Sequence, residues 1–290
     1  MAGLAPLGCA TLINSIEEAF MRRDGKVAIV TGASAGIGQA SAKALHQAGF
    51  RVFGTSRRAV ASALGGITMV TCDVTDDASV KAAVDKVFDT TGRIDVLVNN
   101  AGTGLLAGAE ESSVNQAQAL FDVNLFGVIR TTNAVLPIMR RQKAGRIVNI
   151  SSVLGLIPAP FSALYSSTKH ALEGYSESLD HEVRTFGIRI CLLEPAYTRT
   201  SFEQNMVLPD RSLDAYVSAR MRSSAVMQEV MKTADSPEVV AERVVEAATT
   251  ASPRRRYTCG KMARQVSVLR RFVPERMFDK SLRKQMGLPA

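Results

Sequence analysis

The sequence has few of the residues from which disulfide frames and metal sites are built. Four cysteines are widely spaced and form no C-x-x-C pair: Cys9, Cys72, Cys191 and Cys259. This spacing indicates reduced thiols and argues against a disulfide scaffold or a zinc site. The three histidines, His46, His170 and His181, fall within helical patterns and are interpreted as structural or surface residues. We therefore expect no bound metal.

The sequence also lacks a long uninterrupted apolar run. Residues 1–20 contain several leucines, but Pro6 and Gly8 break the run and no basic segment precedes it. Neither a signal peptide nor a membrane-spanning helix is predicted, and we expect a cytoplasmic protein. Residues 1–24 are interpreted as a dispensable extension or a misassigned start. The alternative is a tail that packs on a partner subunit.

What is present is an alternation of strand and helix patterns, without repeats or low-complexity segments. A chain of 290 residues with 46% hydrophobic content can bury the core of one α/β domain. The alternation predicts a doubly wound, Rossmann-type parallel sheet. We place the catalytic domain at 25–250, followed by a C-terminal extension at 251–290.

A glycine-rich turn follows the first predicted strand. The apolar run 26–30 precedes Thr31-Gly32-Ala33-Ser34-Ala35-Gly36-Ile37-Gly38, and a helical pattern begins at Gln39. Strand, glycine turn and helix in this order are typical of a dinucleotide-binding loop, with the phosphates at the helix N-terminus. A turn without a ligand is the alternative.

The most informative pair further along is Tyr165 and Lys169, with Ser152 thirteen residues before the tyrosine. Residues four apart lie on one face of a helix. A nearby ammonium can lower the pKa of a phenol and make it a usable acid and base. Ser151 is the alternative to Ser152, which the interval to Tyr165 favours.

These motifs, taken together, resemble the classical short-chain dehydrogenases/reductases over roughly residues 25–250. Further motifs of that family follow in its usual order: Asn99-Asn100-Ala101-Gly102, Asn124, the strand ending in Ser152, and the strand ending in Pro195. The pattern of the C-terminus, around 269–278, looks most like the 17β-hydroxysteroid-dehydrogenase-like branch.

The resemblance implies a role for each matching residue. Tyr165 would exchange a proton with the substrate oxygen, Ser152 would hydrogen-bond that oxygen, and Lys169 would lower the tyrosine pKa and hold the nicotinamide ribose. Asn124 would anchor a water that connects Lys169 to solvent, and its alternative role is that of a helix cap. Asn100 could likewise be only a turn residue.

The cofactor-binding residues implied by the resemblance lie in several loops. They are Gly32, Ser34, Ala35, Gly36, Ile37, Gly38, Ser56, Arg57, Asp73, Val74, Asn100, Ala101, Gly102, Tyr165, Lys169, Pro195, Thr198 and Thr200.

The end of the second predicted strand bears on which nicotinamide cofactor is bound. Enzymes that use NAD usually carry an acidic residue there, whereas this chain has Ser56 followed by Arg57 and Arg58. A guanidinium binds a 2′-phosphate bidentately. We therefore predict NADP(H), with Arg57 as the main contact and Ser34 assisting. The alternative is that both arginines are solvated loop charges.

One residue departs from the family pattern. The family commonly has Pro-Gly after the sixth strand, but this chain has Pro195-Ala196. An alanine fits there only if the backbone keeps a negative φ.

Basic charge is concentrated in the C-terminal extension. Residues 251–290 contain eleven Lys/Arg and two Asp/Glu, a net charge of +9, while the whole chain carries +8. Apolar residues alternate with these cations, and Pro274 divides the segment into two predicted helices. We favour an amphipathic helix docked on the catalytic domain, with attachment to an anionic membrane as the alternative. Nucleic-acid binding is not expected, because the basic charge is local and aromatic stacking platforms are absent.

The segment 197–234 falls where the family carries its mobile substrate lid. It is rich in methionine and other apolar residues, among them Phe202, Met206 and Met221. Such walls suit bulky hydrophobic ligands.

The sequence therefore predicts an NADPH-dependent oxidoreductase that reduces hydrophobic ketones or aldehydes reversibly. A 3-oxoacyl thioester reductase and a non-catalytic NADP-binding redox sensor are the alternatives. The resemblance also implies a homo-oligomer, dimer or tetramer, formed through long helices near 116–136 and 163–186.

Overall fold

Apolar, β-branched segments of the sequence form the strands of one sheet. A computed structural model of the protein describes residues 25–58 and 63–289. Its strands are β1 Val27–Val30, β2 Arg51–Ser56, β3 Ala63–Leu64, β4 Ile67–Thr71, β5 Val96–Asn99, β6 Gly145–Ile150, β7 Ile188–Pro195 and β8 Arg256–Cys259. Their order across the sheet is β3-β4-β2-β1-β5-β6-β7-β8. Seven strands run parallel, and only the two-residue β3 pairs antiparallel, with β4.

The helices connect the parallel strands. They are α1 Gly36–Gln47, α2 Asp77–Thr91, α3 Val114–Phe121, α4 Gly127–Gln142, α5 Ala163–Val183, α6 Asp214–Met231, α7 Pro237–Thr249, α8 Gly260–Phe272 and α9 Glu275–Gln285. Local signals set several of their ends. Asp76 caps α2 by accepting hydrogen bonds from the N–H groups of Ala78 and Ser79, and Gly92 ends it in the left-handed conformation.

Side chains of successive strand residues enter two separate cores. Ala28 and Val30 of β1 pack in one core with α1 and α7, whereas Val27 and Ile29 pack in the other with α2, α4 and α5. Because neighbouring residues of a strand point to opposite faces, a strand covered by helices on both sides is apolar throughout. The predicted doubly wound parallel sheet is confirmed.

The sheet extends into the C-terminal segment. Arg256–Cys259 pairs with β7 as the last parallel strand, so part of 251–290 belongs to the sheet itself. Beyond it, α8 ends at Phe272 and α9 begins after Pro274, which confirms the predicted division at the proline. The interpretation of residues 1–24 concerns a part of the chain outside the described residues.

Three described cysteines, Cys72, Cys191 and Cys259, are buried free thiols, and Cys9 lies outside the described residues. Within the described part of the chain, every helix is too short or too polar to cross a membrane.

Gly38 allows α1 to pack closely on the sheet, and this contact can be tested. A Cβ there would lie 2.3 Å from the carbonyl oxygen of Gly32 and 2.4 Å from the side-chain nitrogen of Asn100. We expect Gly38→Ala to lower the free energy of unfolding by about 1–3 kcal/mol, because the backbone has to move. Urea unfolding measures this change.

Gly174→Ala is the matched control. A Cβ at this exposed position in α5 meets no atom within 4 Å. The substitution should raise stability by up to about 1 kcal/mol, since alanine favours a helix more than glycine does. Equal effects of the two substitutions would contradict the assigned role of Gly38.

Candidate active site

The glycine turn lies at the carboxyl end of β1 and leads into α1. Gly32 and Gly36 have φ angles of +65° and +56°, which glycine adopts without strain. A Cβ on Gly36 would lie 3.2 Å from the side chain of Thr200. Ala35 is the N-cap of α1 and has no side-chain acceptor, so side chains leave the first N–H groups of the helix uncapped. This cradle fits a phosphate group.

Asn100, directly after β5, holds the turn in place. Its side-chain amide donates hydrogen bonds to the carbonyl oxygens of Thr31, at 2.9 Å, and Gly32, at 3.2 Å. The hydroxyl of Thr31 in turn accepts from the backbone N–H groups of Asn100 and Ala101. Asn100 is therefore more than a local turn residue, because it joins two loops far apart in sequence.

The residues predicted to bind the cofactor follow the carboxyl ends of the parallel strands. After β1 lie Gly32, Ser34, Ala35, Gly36, Ile37 and Gly38; at or after β2, Ser56 and Arg57; after β4, Asp73 and Val74; after β5, Asn100, Ala101 and Gly102; at or after β7, Pro195, Thr198 and Thr200. Ligands of open α/β sheets bind at this edge. The structure thus places all these residues at one edge of the sheet.

Arg57 and Asp73 lie on the same rim of this edge. Asp73 accepts hydrogen bonds from the N–H and hydroxyl groups of Thr75. These bonds lower the pKa of Asp73, and the positive charges of Arg57 and Arg130 contribute further. Arg57 is exposed, and Ser56 before it is half-buried. The loop contains no acidic residue at the end of β2.

The substitution of alanine for glycine after Pro195 leaves the backbone unstrained. Of the described non-glycine residues, only Lys143 and Phe161 have a positive φ, so Ala196 keeps the conformation that alanine requires. Ala196 accepts a hydrogen bond from the hydroxyl of Thr198. The loop that carries Thr198 and Thr200 therefore forms without the glycine.

Ser152, Tyr165 and Lys169 come together across β6 and α5. Ser152 lies two residues after the end of β6, at the N-cap of a short 3₁₀ turn, Val153–Gly155, and its hydroxyl forms a hydrogen bond with the phenol of Tyr165. Lys169 lies one turn along α5, with its ammonium 5.7 Å from the centre of the Tyr165 ring. The ammonium donates to the carbonyl oxygen of Ile150 at 2.9 Å. Ser151 is buried beside Gly155 instead.

The pKa of Tyr165 differs from the expectation. Burial raises it to about 12, and the hydrogen bond from Ser152 opposes the rise without cancelling it. Tyr165 packs against the apolar residues Leu105 and Leu120 and against the ring of Phe202, 6.1 Å away. The expected lowering by Lys169 is absent, because the ammonium is directed to the carbonyl of Ile150. The phenol is therefore protonated at neutral pH.

Asn124 lies in a π-helical turn, Asp122–Phe126, between α3 and α4. Its amide oxygen accepts from the N–H of Thr103, and its nitrogen donates to the carbonyl of Thr103 and to the hydroxyl of Thr168. Asn124 is buried and is not a helix cap. It connects the loop after β5 to the residue just before Lys169. Such bulges are frequent at functional sites.

A buried charge cluster behind Lys169 escaped the sequence analysis. Glu173, one turn beyond Lys169 on α5, and Glu194 of β7 both face Arg256 of β8, at 3.0 and 3.2 Å. Burial lowers the pKa of Lys169 to about 8, and the Glu173 carboxylate counteracts this shift. The Lys169–Glu173 spacing of four residues was the available signal, but the pairing of β8 was not predictable from local pattern.

The segment after β7, residues 197–234 (the covering segment), packs over Tyr165 and the loop after β5. A Cβ on Gly104 would lie 2.8 Å from the ring of Phe202 and 3.0 Å from Met206. Glu111, which is buried, accepts from the N–H of Leu213 and pairs with Arg220 of α6. Phe161, with a φ of +59°, packs its ring edge-on against Tyr216 of α6. Apolar side chains of this segment thus meet the loops around Tyr165.

Comparisons with known proteins agree on a family. The model of the family described as short chain dehydrogenase matches residues 26–210. A curated relative, the 3-ketodihydrosphingosine reductase of Bacteroides thetaiotaomicron, is 32% identical over 261 residues, which are 89% of this chain and 97% of the relative.

Two solved structures are similar over most of the chain. A short chain dehydrogenase/reductase from Burkholderia phymatum, in complex with NAD, is 27% identical with a TM-score of 0.74, covering 90% of this chain and 95% of its own. A metagenomic short-chain oxidoreductase in complex with NADP is 30% identical with a TM-score of 0.64, covering 81% and 96%.

The buried cluster predicts a pH-dependent stability. Burial and the charge of Glu173 raise the pKa of Glu194 to about 7, with Arg256 opposing. Between about pH 4.5 and pH 7 the folded protein keeps a proton that the unfolded chain releases, so stability falls as pH rises. We expect Glu194→Gln to remove up to about 3 kcal/mol of this fall, measured by urea unfolding at about pH 5 and pH 8.

Glu229→Gln provides the control. Glu229 is exposed and pairs only with Lys232 on the surface, so its removal should leave the pH dependence unchanged. Burial also raises the pKa of Glu173, so a smaller fall in stability with rising pH remains in both variants. If Glu194→Gln and the parent chain lost equal stability across this range, the assigned proton on Glu194 would be wrong.

Proposed function

This chain belongs to the short-chain dehydrogenase/reductase family, and on that basis we propose that it is an NADPH-dependent reductase of hydrophobic ketones or aldehydes, acting reversibly. The proposal is supported above all by the arrangement of Ser152, Tyr165 and Lys169 beside the glycine turn. Bound NADPH would supply the hydride to the carbonyl carbon. The protein's own residues would position the carbonyl and deliver the proton.

Tyr165 is proposed as the proton donor. Its pKa of about 12 keeps the phenol protonated at neutral pH, which suits donation to the oxygen of a carbonyl that is being reduced. Ser152, hydrogen-bonded to this phenol, would donate to the same oxygen and stabilise the charge that develops on it. In the oxidative direction the same phenol would have to lose its proton first, at a higher cost.

Lys169 is proposed to hold a positive charge beneath the tyrosine. Its pKa of about 8 leaves it mostly protonated at neutral pH. The ammonium donates to the carbonyl of Ile150 and leaves the pKa of Tyr165 unlowered, so it would have to turn toward the phenol oxygen to stabilise the phenolate formed after proton donation. Asn124, through its bond to Thr168, would fix the path by which Lys169 exchanges protons with solvent.

The carboxyl edge of the sheet is proposed as the cofactor site. The glycine turn and the N-terminus of α1 would bind the pyrophosphate, with Ser34 to Gly38 along it. Asp73 and Val74 would contact the adenine, and Asn100, Ala101 and Gly102 would line the middle. Pro195, Thr198 and Thr200 would hold the nicotinamide, together with Tyr165 and Lys169.

Selection of NADPH is proposed to depend on Arg57. Relatives of known structure bind NAD or NADP, so the choice has to come from this chain's own residues. Arg57 is exposed on the rim next to Asp73, and Ser56 stands where an acidic residue would repel a 2′-phosphate. Ser34, exposed in the glycine turn, would assist.

A hydrophobic substrate is supported by the surroundings of Tyr165. Phe202 packs against Tyr165 and, with Met206, against Gly104 in the loop after β5, while the carbonyl oxygen of Phe161 accepts from the N–H of Ala107 in the same loop. The name of the Bacteroides relative describes a ketone reductase, which agrees with a carbonyl substrate. Assembly into a homo-oligomer through α4 and α5 stays a prediction from the family resemblance.

The catalytic assignment is tested with NADPH and a panel of carbonyl compounds, from small aryl ketones to steroids. Tyr165→Phe removes the proton donor and should lower kcat by about 10²–10⁴-fold. Ser152→Ala should lower it by about 10²–10³-fold, because one hydrogen bond to the developing oxyanion is lost. Ser151→Ala is the matched control and should retain most of the activity. Turnover by Tyr165→Phe at the parent rate would sink the proposal.

The cofactor assignment is tested separately by steady-state kinetics with NADPH and NADH. Arg57→Ala should raise the KM for NADPH about 10–100-fold, the effect of losing a hydrogen bond to a charged group. The KM for NADH should stay the same. Arg51→Ala, at the opposite end of β2, serves as the control. A parent chain that prefers NADH would refute the role of Arg57 and leave the catalytic residues unaffected.

A further inference from the structure

Helix α8, in the C-terminal extension, exposes apolar side chains on its outer face. Four of them are open to solvent: Met262, Val268, Leu269 and Phe272, with exposed fractions of 37, 50, 47 and 73%. At about 100° per residue they share an arc of roughly 120°. Ala263 on the opposite side is fully buried and packs the helix on the domain. The expected docking therefore uses one face of α8 and leaves an apolar stripe uncovered.

Basic side chains surround this stripe. Lys261 lies within the same arc, and Arg264 and Arg271 lie along one border of it. From 260 to 289 the chain carries eight Lys/Arg and two Asp/Glu. Within the described residues, none of these eight cations forms an ion pair with a carboxylate. The charge is thus available to a partner.

Helix α9 continues the surface. Met277 is 64% exposed, whereas Phe278 and Leu282 are partly buried and Met286 is buried. The end of α9 is fixed to α6: Arg222 donates to the carbonyl oxygen of Gly287 and Ser223 to that of Met286, both at 3.2 Å. The α8–α9 surface, defined by Met262, Val268, Leu269, Phe272 and Met277 with their neighbouring cations, therefore adjoins the covering segment.

The combination of charge and apolar area limits what this surface can bind. A second copy using the same patch would bring like charges together across a two-fold axis, which is unfavourable. A soluble anion would neutralise the cations and leave the apolar stripe in water. An anionic bilayer offers both phosphate groups for the cations and acyl chains for the apolar stripe.

We propose that the α8–α9 surface binds peripherally to membranes that contain anionic lipids, with Leu269 and Phe272 inserted at the boundary between headgroups and acyl chains. The cations around them attract the phosphates of the lipids. This orientation sets α6 and the covering segment next to the bilayer, from which an apolar substrate could enter. The membrane contact itself does not depend on the proposed reductase activity.

Vesicle flotation of the full chain tests the proposal. We expect the protein to float with vesicles of phosphatidylcholine mixed with phosphatidylglycerol, to remain unbound with phosphatidylcholine alone, and to dissociate as salt is raised. Leu269→Ser with Phe272→Ser should abolish binding. Arg264→Gln with Arg271→Gln should weaken it about tenfold or more, since each cation near an anionic surface contributes to affinity.

Phe186→Ser is the control for the loss of an exposed aromatic residue, because Phe186 is 41% exposed and lies outside α8–α9. Its binding should equal that of the parent chain. Substitutions are preferable to truncation at Thr250, which would remove β8 from the sheet. Thermal unfolding shows that each variant is folded.

Two results would overturn the proposal. One is the absence of flotation with mixed vesicles at low salt. The other is a parent chain that is dimeric in size-exclusion chromatography and becomes monomeric in the Leu269→Ser, Phe272→Ser variant while its flotation is unchanged. That second result would assign the stripe to a second copy of the chain.

Discussion

Asn100 joins the carboxyl ends of β5 and β1 by donating two hydrogen bonds to Thr31, from its backbone N–H to the hydroxyl and from its side-chain amide to the carbonyl oxygen. The amide of Asn100 reaches the carbonyl groups of the glycine turn only because Gly38 has no side chain. The turn is therefore fixed relative to the strand whose loop leads on to Asn124. A displacement at this junction would move the glycine turn and α5 relative to each other, so the geometry of the whole edge depends on it.

Tyr165 and Lys169 have different surroundings, apolar around the phenol and charged around the ammonium. Tyr165 packs among leucines and Phe202, which favours the neutral phenol. Lys169 is buried as well, but Glu173 behind it supports its positive charge. Arg256 pairs with the carboxyl groups of Glu173 and Glu194. The neutral phenol of Tyr165 and the charged ammonium of Lys169 thus result from different surroundings, although the two residues lie only one turn apart on α5.

Local pattern was sufficient for much of the fold. The apolar run before the glycine turn predicted β1, and the pattern from Gln39 predicted α1, which begins three residues earlier, at Gly36. Pro274 predicted the break between α8 and α9. The antiparallel β3 and the pairing of β8 with β7 were not predicted, because strand partners are chosen by contacts between distant segments.

In the site, too, some features follow from local pattern and others depend on contacts between distant segments. The spacing of Tyr165 and Lys169 was enough to place both on one helix face, but not to predict the pKa of the phenol. That value depends on how deeply Phe202 and Leu105 bury the ring, and on which acceptor the ammonium selects. Both are properties of the tertiary packing. The carboxylates of Glu173 and Glu194 likewise become neighbours only when β7 and α5 are assembled.

The position of Arg256 has a consequence for synthesis on the ribosome. Glu173 and Glu194 are translated well before the arginine that neutralises them, and β8 is added at the edge of the sheet last. Until that strand has left the exit tunnel, a nascent chain would have to bury two carboxyl groups without the arginine that opposes the rise in their pKa. The final fitting of β7 against α5 is therefore coupled to the emergence of β8, and Lys169 acquires its charged surroundings only after that strand has been translated.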